Sequence, residues 1–253
     1  MISNQENSQT IRKSTKFAGI LLILLYLAFC IAISLLISQQ VSKNKLPAET
    51  LTPTPVRTPE ILGPQPEHEW QIQYEDFSKN TREWTLLYNH GKLELIDEKM
   101  ILQSYQFDRG VIGTTYSIYN DFEPTTEEYF VQADFTTDRE SLFGYGLVFG
   151  LDRSLGTFYL FEIQQQTQAV TLRKYVADNW VELFSTSQNQ VNPYPTENTL
   201  SVHFAMGEIG LYLNGNLITT YDDENPFNSK GVGAFISSSG IRLIVDNFFT
   251  YDK

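Results

Sequence analysis

The chain has 253 residues, 42% of them hydrophobic and 13% aromatic, enough to bury one substantial core and to exclude disorder over most of its length. Its formal net charge of −12 is concentrated in the later part: after Pro66 there are 27 acidic against 12 basic side chains, which excludes nucleic acid as a natural partner. The single cysteine, Cys30, excludes disulfides and thiolate metal sites from everything that follows it.

Residues 1–16 are polar, with Arg12, Lys13 and Lys16 against one acid, Glu6, and read as a cytoplasmic tail. Phe17 to Ser38, "FAGILLILLYLAFCIAISLLIS", is 22 residues without charge or proline. As a helix it is about 33 Å long, enough for a hydrocarbon core of about 30 Å, so residues 17–38 are expected to be a transmembrane signal-anchor in the lipid bilayer. A cleaved signal peptide fits less well, because the run is longer than an h-region and flows into "SQQVSKNK" without a small-residue cleavage site. Residues 39–69 hold six of the ten prolines in "LPAETLTPTPVRTPEILGPQP" and read as a Pro/Thr-rich stalk. The expected address is a single pass of the plasma membrane, N-terminus cytoplasmic, with residues 70–253 outside as one domain.

From Trp70 the apolar period is two. "KLELID" and "KMILQS" flank an acidic turn at Asp97-Glu98. "EEYFVQADFTT" sets Tyr129, Val131, Ala133 and Phe135 against Phe130, Gln132, Asp134 and Thr136. "GYGLVFGLD" and "FYLFEI" are apolar on both faces: Tyr145, Leu147, Phe149, Tyr159, Phe161 and Ile163 form a core row, and Gly146, Val148, Gly150, Phe158, Leu160 and Glu162 a second, open row. "LSVHFAM" places Leu200, Val202 and Phe204 on one side. Asn214-Gly215 marks a type I′ hairpin, because that turn needs positive φ at both central residues. "IRLIVDNFFTYD" alternates Leu243, Val245, Asn247 and Phe249 against Arg242, Ile244, Asp246 and Phe248. About a dozen strands without a helix predict an all-β fold, a two-sheet antiparallel jelly-roll sandwich.

The order "DFSKNTREW" (76–84), "YGLVFGLD" (145–152), "FYLFEI" (158–163), "VTLRKYVADNWVEL" (170–183), "LYLNGNLITTYDD" (211–223) and a closing "VDNFFTY" resembles bacterial concanavalin A-like (laminin-G-like) sandwich domains. These are related to the domain named for 3-keto-disaccharide hydrolases, and the resemblance covers residues 70–253. It implies first and last strands side by side and, in many members, glycan binding.

Chemistry is sparse. Retaining glucanases need two carboxylates about 5–5.5 Å apart, and the alternating Glu-x-Asp-x-Glu strand that supplies them is missing; "ELIDE" (94–98) reads as a solvated turn. His68, His90 and His203 are dispersed without metal spacing. No Gly-x-Ser-x-Gly turn or phosphate loop occurs. The carboxylates of "YDDENP" (221–226) read as a solvated connection, with calcium the lesser alternative, so no catalytic residue, metal ligand or cofactor is assigned.

The candidate carbohydrate-binding residues are Glu162, Arg173, Tyr175 and Trp180, because sugar C–H faces stack on aromatic rings while polar groups pair with hydroxyls. The competing structural reading is that Trp180 caps the core edge and Arg173 pairs with Glu162 across strands. Three functions stay open: a membrane-anchored extracytoplasmic carbohydrate-binding module without catalysis, a glycoside hydrolase of the 3-keto-disaccharide type, and a structural or sensory envelope ectodomain that meets protein partners.

Overall fold

The computed structural model describes residues 60–64, 70–80, 82–87, 90–106, 110–115, 126–237 and 239–252. The expected tail, anchor segment 17–38 and most of the stalk lie outside the described residues. Among the described residues no helix is long and apolar enough to cross a membrane.

The strands run, in chain order, Gln71–Glu75 (β1), Trp84–Leu86 (β2), Gly91–Ile96 (β3), Lys99–Ser104 (β4) and Val111–Thr115 (β5). They continue with Glu128–Thr137 (β6), Tyr145–Asp152 (β7), Thr157–Gln164 (β8), Ala169–Val176 (β9) and Asn179–Ser187 (β10). Asn198–Ala205 (β11), Glu208–Leu213 (β12), Asn216–Asp222 (β13), Gly231–Ile236 (β14) and Arg242–Asp252 (β15) complete the set. One sheet has the order β13-β12-β11-β6-β15-β4-β3, with β1 also paired to β15, and the other β10-β9-β8-β7-β14-β5-β2; the paired strands are antiparallel. First and last strands are neighbours, Ile72 opposite Tyr251, as the resemblance implies.

The core lies between the sheets. Tyr129, Val131, Ala133 and Phe135 of β6 and Leu200, Val202 and Phe204 of β11 meet Tyr145, Leu147 and Phe149 of β7 and Tyr159, Phe161 and Ile163 of β8. Each set is one face of an alternating strand, and burying these side chains contributes on the order of 1.5–3 kcal/mol apiece before ordering costs. The two tight turns expected from the sequence have the required backbone: φ is 51° and 59° at Asp97 and Glu98, and 51° and 80° at Asn214 and Gly215.

The alternation expected for the last strand holds only for its first half. A bulge between Asp246 and Phe249, with Asn247 at φ 48°, shifts the phase by one residue. Leu243, Val245 and Phe248 therefore enter the core, whereas Phe249 and Tyr251 join Phe130 on the outer face of the eight-stranded sheet. Asn247 is held in this unusual position by its own polar ends, donating to Asp134 at 2.7 Å and accepting from the Tyr74 hydroxyl at 3.0 Å. A bulge adds one residue to one strand and re-aims everything beyond it.

Residues 60–64, which composition assigns to the stalk, lie across that same outer face. The Gln132 side chain accepts from the Leu62 amide and donates to the Glu60 carbonyl, both at 2.9 Å. Ser201 donates to the Leu62 carbonyl at 2.9 Å, and the Tyr251 hydroxyl donates to the Pro64 carbonyl. Gln132 and Ser201 are fully buried, so these bonds satisfy polar groups that burial would otherwise penalise. Gly63 sits where a Cβ would come within 2.8 Å of the Phe130 ring.

Candidate functional site

The outer face of the seven-stranded sheet is apolar, which explains why "GYGLVFGLD" and "FYLFEI" are greasy on both sides. Ile112, Val148, Leu151, Phe158, Leu160 and Phe235 form a buried cluster separate from the main core, with Leu87 and Tyr175 packed against it. Across it lies Trp180. Its ring is 5.5 Å from Phe158 edge-on, 4.9 Å from Tyr175 and 5.9 Å from Phe235. Trp180 belongs to β10 and Phe235 to β14, four strands along the sheet order. A flat sheet would separate these strands by about 19 Å at roughly 4.8 Å per step. Two side chains leaning toward each other cannot close that gap, so the sheet curls and this face is concave. Trp180 remains 42% exposed, an indole with one side on a greasy floor and another in water.

The polar part sits beside it. On β8, Glu162 follows Phe158 and Leu160 on the same face, and is only 2% exposed. Its carboxylate accepts from Arg173 at 3.1 Å and from the Thr171 hydroxyl at 3.3 Å, both on β9. Space for it is made by Gly144, where a Cβ would lie 1.7 Å from Oε1. Burial pushes the Glu162 carboxyl above its ordinary value, outweighing the Arg173 charge and the Thr171 hydrogen bond, which act the other way. Arg173, with about a third of its side chain exposed, holds its guanidinium carbon 6.0 Å from the Trp180 ring centroid, at the limit of a cation–π contact.

The four residues expected to bind carbohydrate therefore stand together on consecutive strands of one meander. Glu162 anchors Arg173, Arg173 flanks Trp180, and Tyr175 supports Trp180 from below. The Arg173–Glu162 pair of the structural reading is formed, and it leaves Trp180 half in solvent. Phe235 and Ile112 come from strands distant in sequence and escape a local reading, although "GVGAFI" carries a signal: glycines 231 and 233 alternate with Phe235 on that face. The arrangement can offer the exposed part of one indole, held by rings tilted against it, and the guanidinium donors of Arg173 beside it. Arg173 is the charged group that acts on Glu162, and Glu182 of β10 stands opposite Arg173 in the strand register.

Elsewhere, Asp223 of the acidic connection accepts from Lys174 at 2.7 Å and from the Tyr159 hydroxyl. Burial pushes its carboxyl up, but these bonds, with the Asn225 amide, together hold it below its ordinary value. Among the described residues no group of three or more His, Cys, Asp or Glu side chains is placed to hold a metal ion. His90 bonds the carbonyl of Gly110, which packs against the Phe235 ring, at 2.6 Å, and His203 lies 3.4 Å from Glu128 on the eight-stranded sheet; His68 lies outside the described residues.

No family model and no curated protein matches the sequence. Solved structures do match its fold. The carbohydrate binding module CBM66 from Bacillus subtilis superposes with a TM-score of 0.54 at 15% identity, covering 67% of this chain and 95% of that one. A protein of unknown function with galectin-like fold, also from Bacillus subtilis, gives 0.54 at 14% identity over 70% and 94% of the two chains. The catalytic domain of an endo-1,3-beta-glucanase (laminarinase) from Thermotoga petrophila RKU-1 gives 0.52 at 10% identity over 73% and 98%. At these identities the likeness is one of architecture: the described part of the chain has the β-sandwich fold shared by a carbohydrate-binding module, a galectin-like protein and a glucanase catalytic domain.

Proposed function

We propose that the concave face of the seven-stranded sheet binds carbohydrate without cleaving it, and that residues 17–38 tether this module to the plasma membrane with the domain outside the cell. The observation that carries the binding reading is Trp180: a half-exposed indole propped on Phe158, Tyr175 and Phe235, with the Arg173 guanidinium over the ring 6.0 Å from its centroid. An indole costs free energy to leave in water, and here its position is fixed by three other rings, the preorganised platform on which a sugar ring stacks. The ligand this face suits is neutral, because Glu162 already compensates Arg173 and the surrounding domain is strongly acidic. The fold likeness to a module named for carbohydrate binding supports the same reading. Catalysis is left out because glycoside cleavage needs paired carboxylates, and Glu162 is engaged by a cation instead.

The test is retention of the full chain on neutral polysaccharides (a β-glucan, a levan and a mannan) with Trp180→Ala as comparison. Loss of an indole at the centre of a binding face costs about 2 kcal/mol, roughly thirtyfold in affinity. Retention that is unchanged in Trp180→Ala overturns the site, and release of reducing ends from any of the polymers overturns the non-catalytic reading. For the address, protease added to intact cells is expected to digest residues 70–253; their survival rules it out.

A further inference from the structure

The two ends of the sandwich are made of different material. One end is where β7, β11, β13 and β15 finish. From β6 onward its described connections and strand termini carry Glu127-Glu128, Asp152, Asp178, Glu208, Asp222-Asp223-Glu224 and Asp252 against Arg153 and Lys230. At the opposite end, where β6, β8, β10 and β14 finish, the same count is Asp138, Glu140 and Glu197 against Arg139 and Arg242, and the rest is uncharged.

This nearly neutral end also displays apolar groups. Leu142 is 59% and Phe143 39% exposed in the β6–β7 connection, and Tyr105 and Tyr194 are exposed in neighbouring connections. Their backbone is braced. The buried Ser141 hydroxyl donates to the Phe143 carbonyl at 3.0 Å and accepts from the Phe143 amide at 3.1 Å, which holds the two apolar side chains outward. The Gly144 carbonyl accepts from the Ser237 amide and hydroxyl at 3.0 and 2.7 Å. Ser239 bridges to Ser104, next to Tyr105, and the Tyr194 hydroxyl donates to the Asp138 carbonyl at 3.4 Å. The four side chains therefore stand on one connected surface.

The strap gives this end a direction. Glu60 and Leu62 bond Gln132, and Leu62 reaches the β12–β13 turn at the neutral end, within 3.6 Å of where a Gly215 Cβ would stand. Pro64 bonds Tyr251, which lies opposite Phe130, nearer the acidic end of β6 than Gln132. The first described residues of the strap are thus the ones nearer the neutral end. From Ser38 to Glu60 the chain can reach no further than about 75 Å, at roughly 3.4 Å per residue.

We infer that the neutral end docks on a lipid surface, with Leu142 and Phe143 entering the boundary between headgroups and acyl chains and Tyr105 and Tyr194 at headgroup level. The inference rests on the tether reading of residues 17–38. Leucine and phenylalanine gain by leaving water, and tyrosine, apolar in its ring and polar at its tip, suits the interface. With the acidic end turned away, the orientation is the one an anionic surface repels least. Four side chains would hold a free domain only weakly. A tether makes docking an intramolecular event at an effective concentration of about a millimolar, so a weak surface is enough.

The full chain is reconstituted into phosphatidylcholine vesicles, plain or brominated high on the acyl chains, as Phe143→Trp and as Leu155→Trp. Leu155 is the control, 73% exposed at the acidic end. Emission of the parent's own tryptophans is subtracted, and flotation with the vesicles reports the tether separately. Phe143→Trp is expected to lose roughly half of its added emission to bromine, because an inserted ring lies about 5–10 Å into the boundary. Leu155→Trp should lose none. Adding Leu142→Asp to Phe143→Trp should abolish the quenching while the chain still floats and its denaturant midpoint is unchanged, since Leu142 is a surface residue. A chain that floats without quenching of Phe143→Trp, or with equal quenching in both variants, overturns the docking and leaves the tether standing; the surface then faces water or another protein. A chain that does not float overturns both.

Discussion

The outer faces of the two sheets carry the same material, a cluster of buried aromatic and aliphatic side chains, and are closed in different ways. On the eight-stranded sheet Phe130, Phe249 and Tyr251 are covered by Ile61, Trp70 and Tyr74, and a length of backbone at 60–64 is bonded to Gln132, Ser201 and Tyr251. On the seven-stranded sheet the described cover of Phe158, Leu160 and Phe235 includes Tyr175 and the half-exposed Trp180, with the Gly110 backbone against the Phe235 ring. Backbone closure commits polar groups: pulling the strap away would strand Gln132 and Ser201 as well as the strap's own amide and carbonyls. The Trp180 indole commits none, because it can turn one side to a ligand without breaking a hydrogen bond network. One face is built to stay shut, the other to present a surface.

The largest effect that separates the faces should come from Phe130→Ala. The side chain is fully buried under the strap, so about 3–5 kcal/mol of stability is expected to vanish, read as the shift in denaturant midpoint at constant slope. Trp180→Ala should cost less than about 1.5 kcal/mol in the same assay, since much of the ring is already in water, while removing carbohydrate retention. Equal losses for the two would erase the distinction drawn between the faces.

Next in size is Gly63→Ala. A methyl group there meets the Phe130 ring at 2.8 Å, so the strap must lift or the ring must move, at about 1–3 kcal/mol. Ser201→Ala is milder, about 1 kcal/mol, because it leaves the Leu62 carbonyl short of one donor without a steric cost. Hydrogen exchange at the Leu62 amide, which bonds Gln132, should rise in both variants; protection as strong as in the parent would mean the strap is held by something else.

How far the sequence discloses this follows from how local each signal is. The cores of β6 and β11 are readable because Tyr129 to Phe135 and Leu200 to Phe204 alternate without interruption, and a period of two needs no knowledge of the partner strand. The candidate site is readable for the same reason, since Glu162, Arg173, Tyr175 and Trp180 lie on three strands joined by short turns. What stays hidden depends on residues far apart in the chain. "ILGP" has the composition of a spacer, and its partners Gln132 and Ser201 lie 69 to 139 positions away from it or from each other. The bulge at Asn247 is a local event, yet the groups its side chain bonds are Asp134, 113 residues earlier, and Tyr74, 173 residues earlier. Phe235 and Ile112 complete the concave cluster from β14 and β5, which only the sheet order brings beside β7.

The smallest expected effect also tests the comparison, through pH. Glu162 on the concave face has its carboxyl raised by burial above its ordinary value, whereas Asp223 is held below it. Between the ordinary carboxylate range and the raised Glu162 value, the folded chain binds more protons than the unfolded one, so this residue's contribution to stability falls as pH rises through that window. Asp223 runs the other way: its contribution is present above the ordinary value and lost as pH falls through the lowered one. Glu162→Gln removes the first trend and keeps the second. Because Arg173 is partly exposed, the substitution does not strand a buried cation, and the variant should fold. Its stability relative to the parent should therefore climb gradually as pH is raised from about 4.5 toward neutrality, by an amount near the limit of chemical denaturation. Parallel curves would mean that Glu162 is charged at no net cost, leaving Arg173 and Thr171 as sufficient solvent for it and the concave face more polar than its aromatic lining implies.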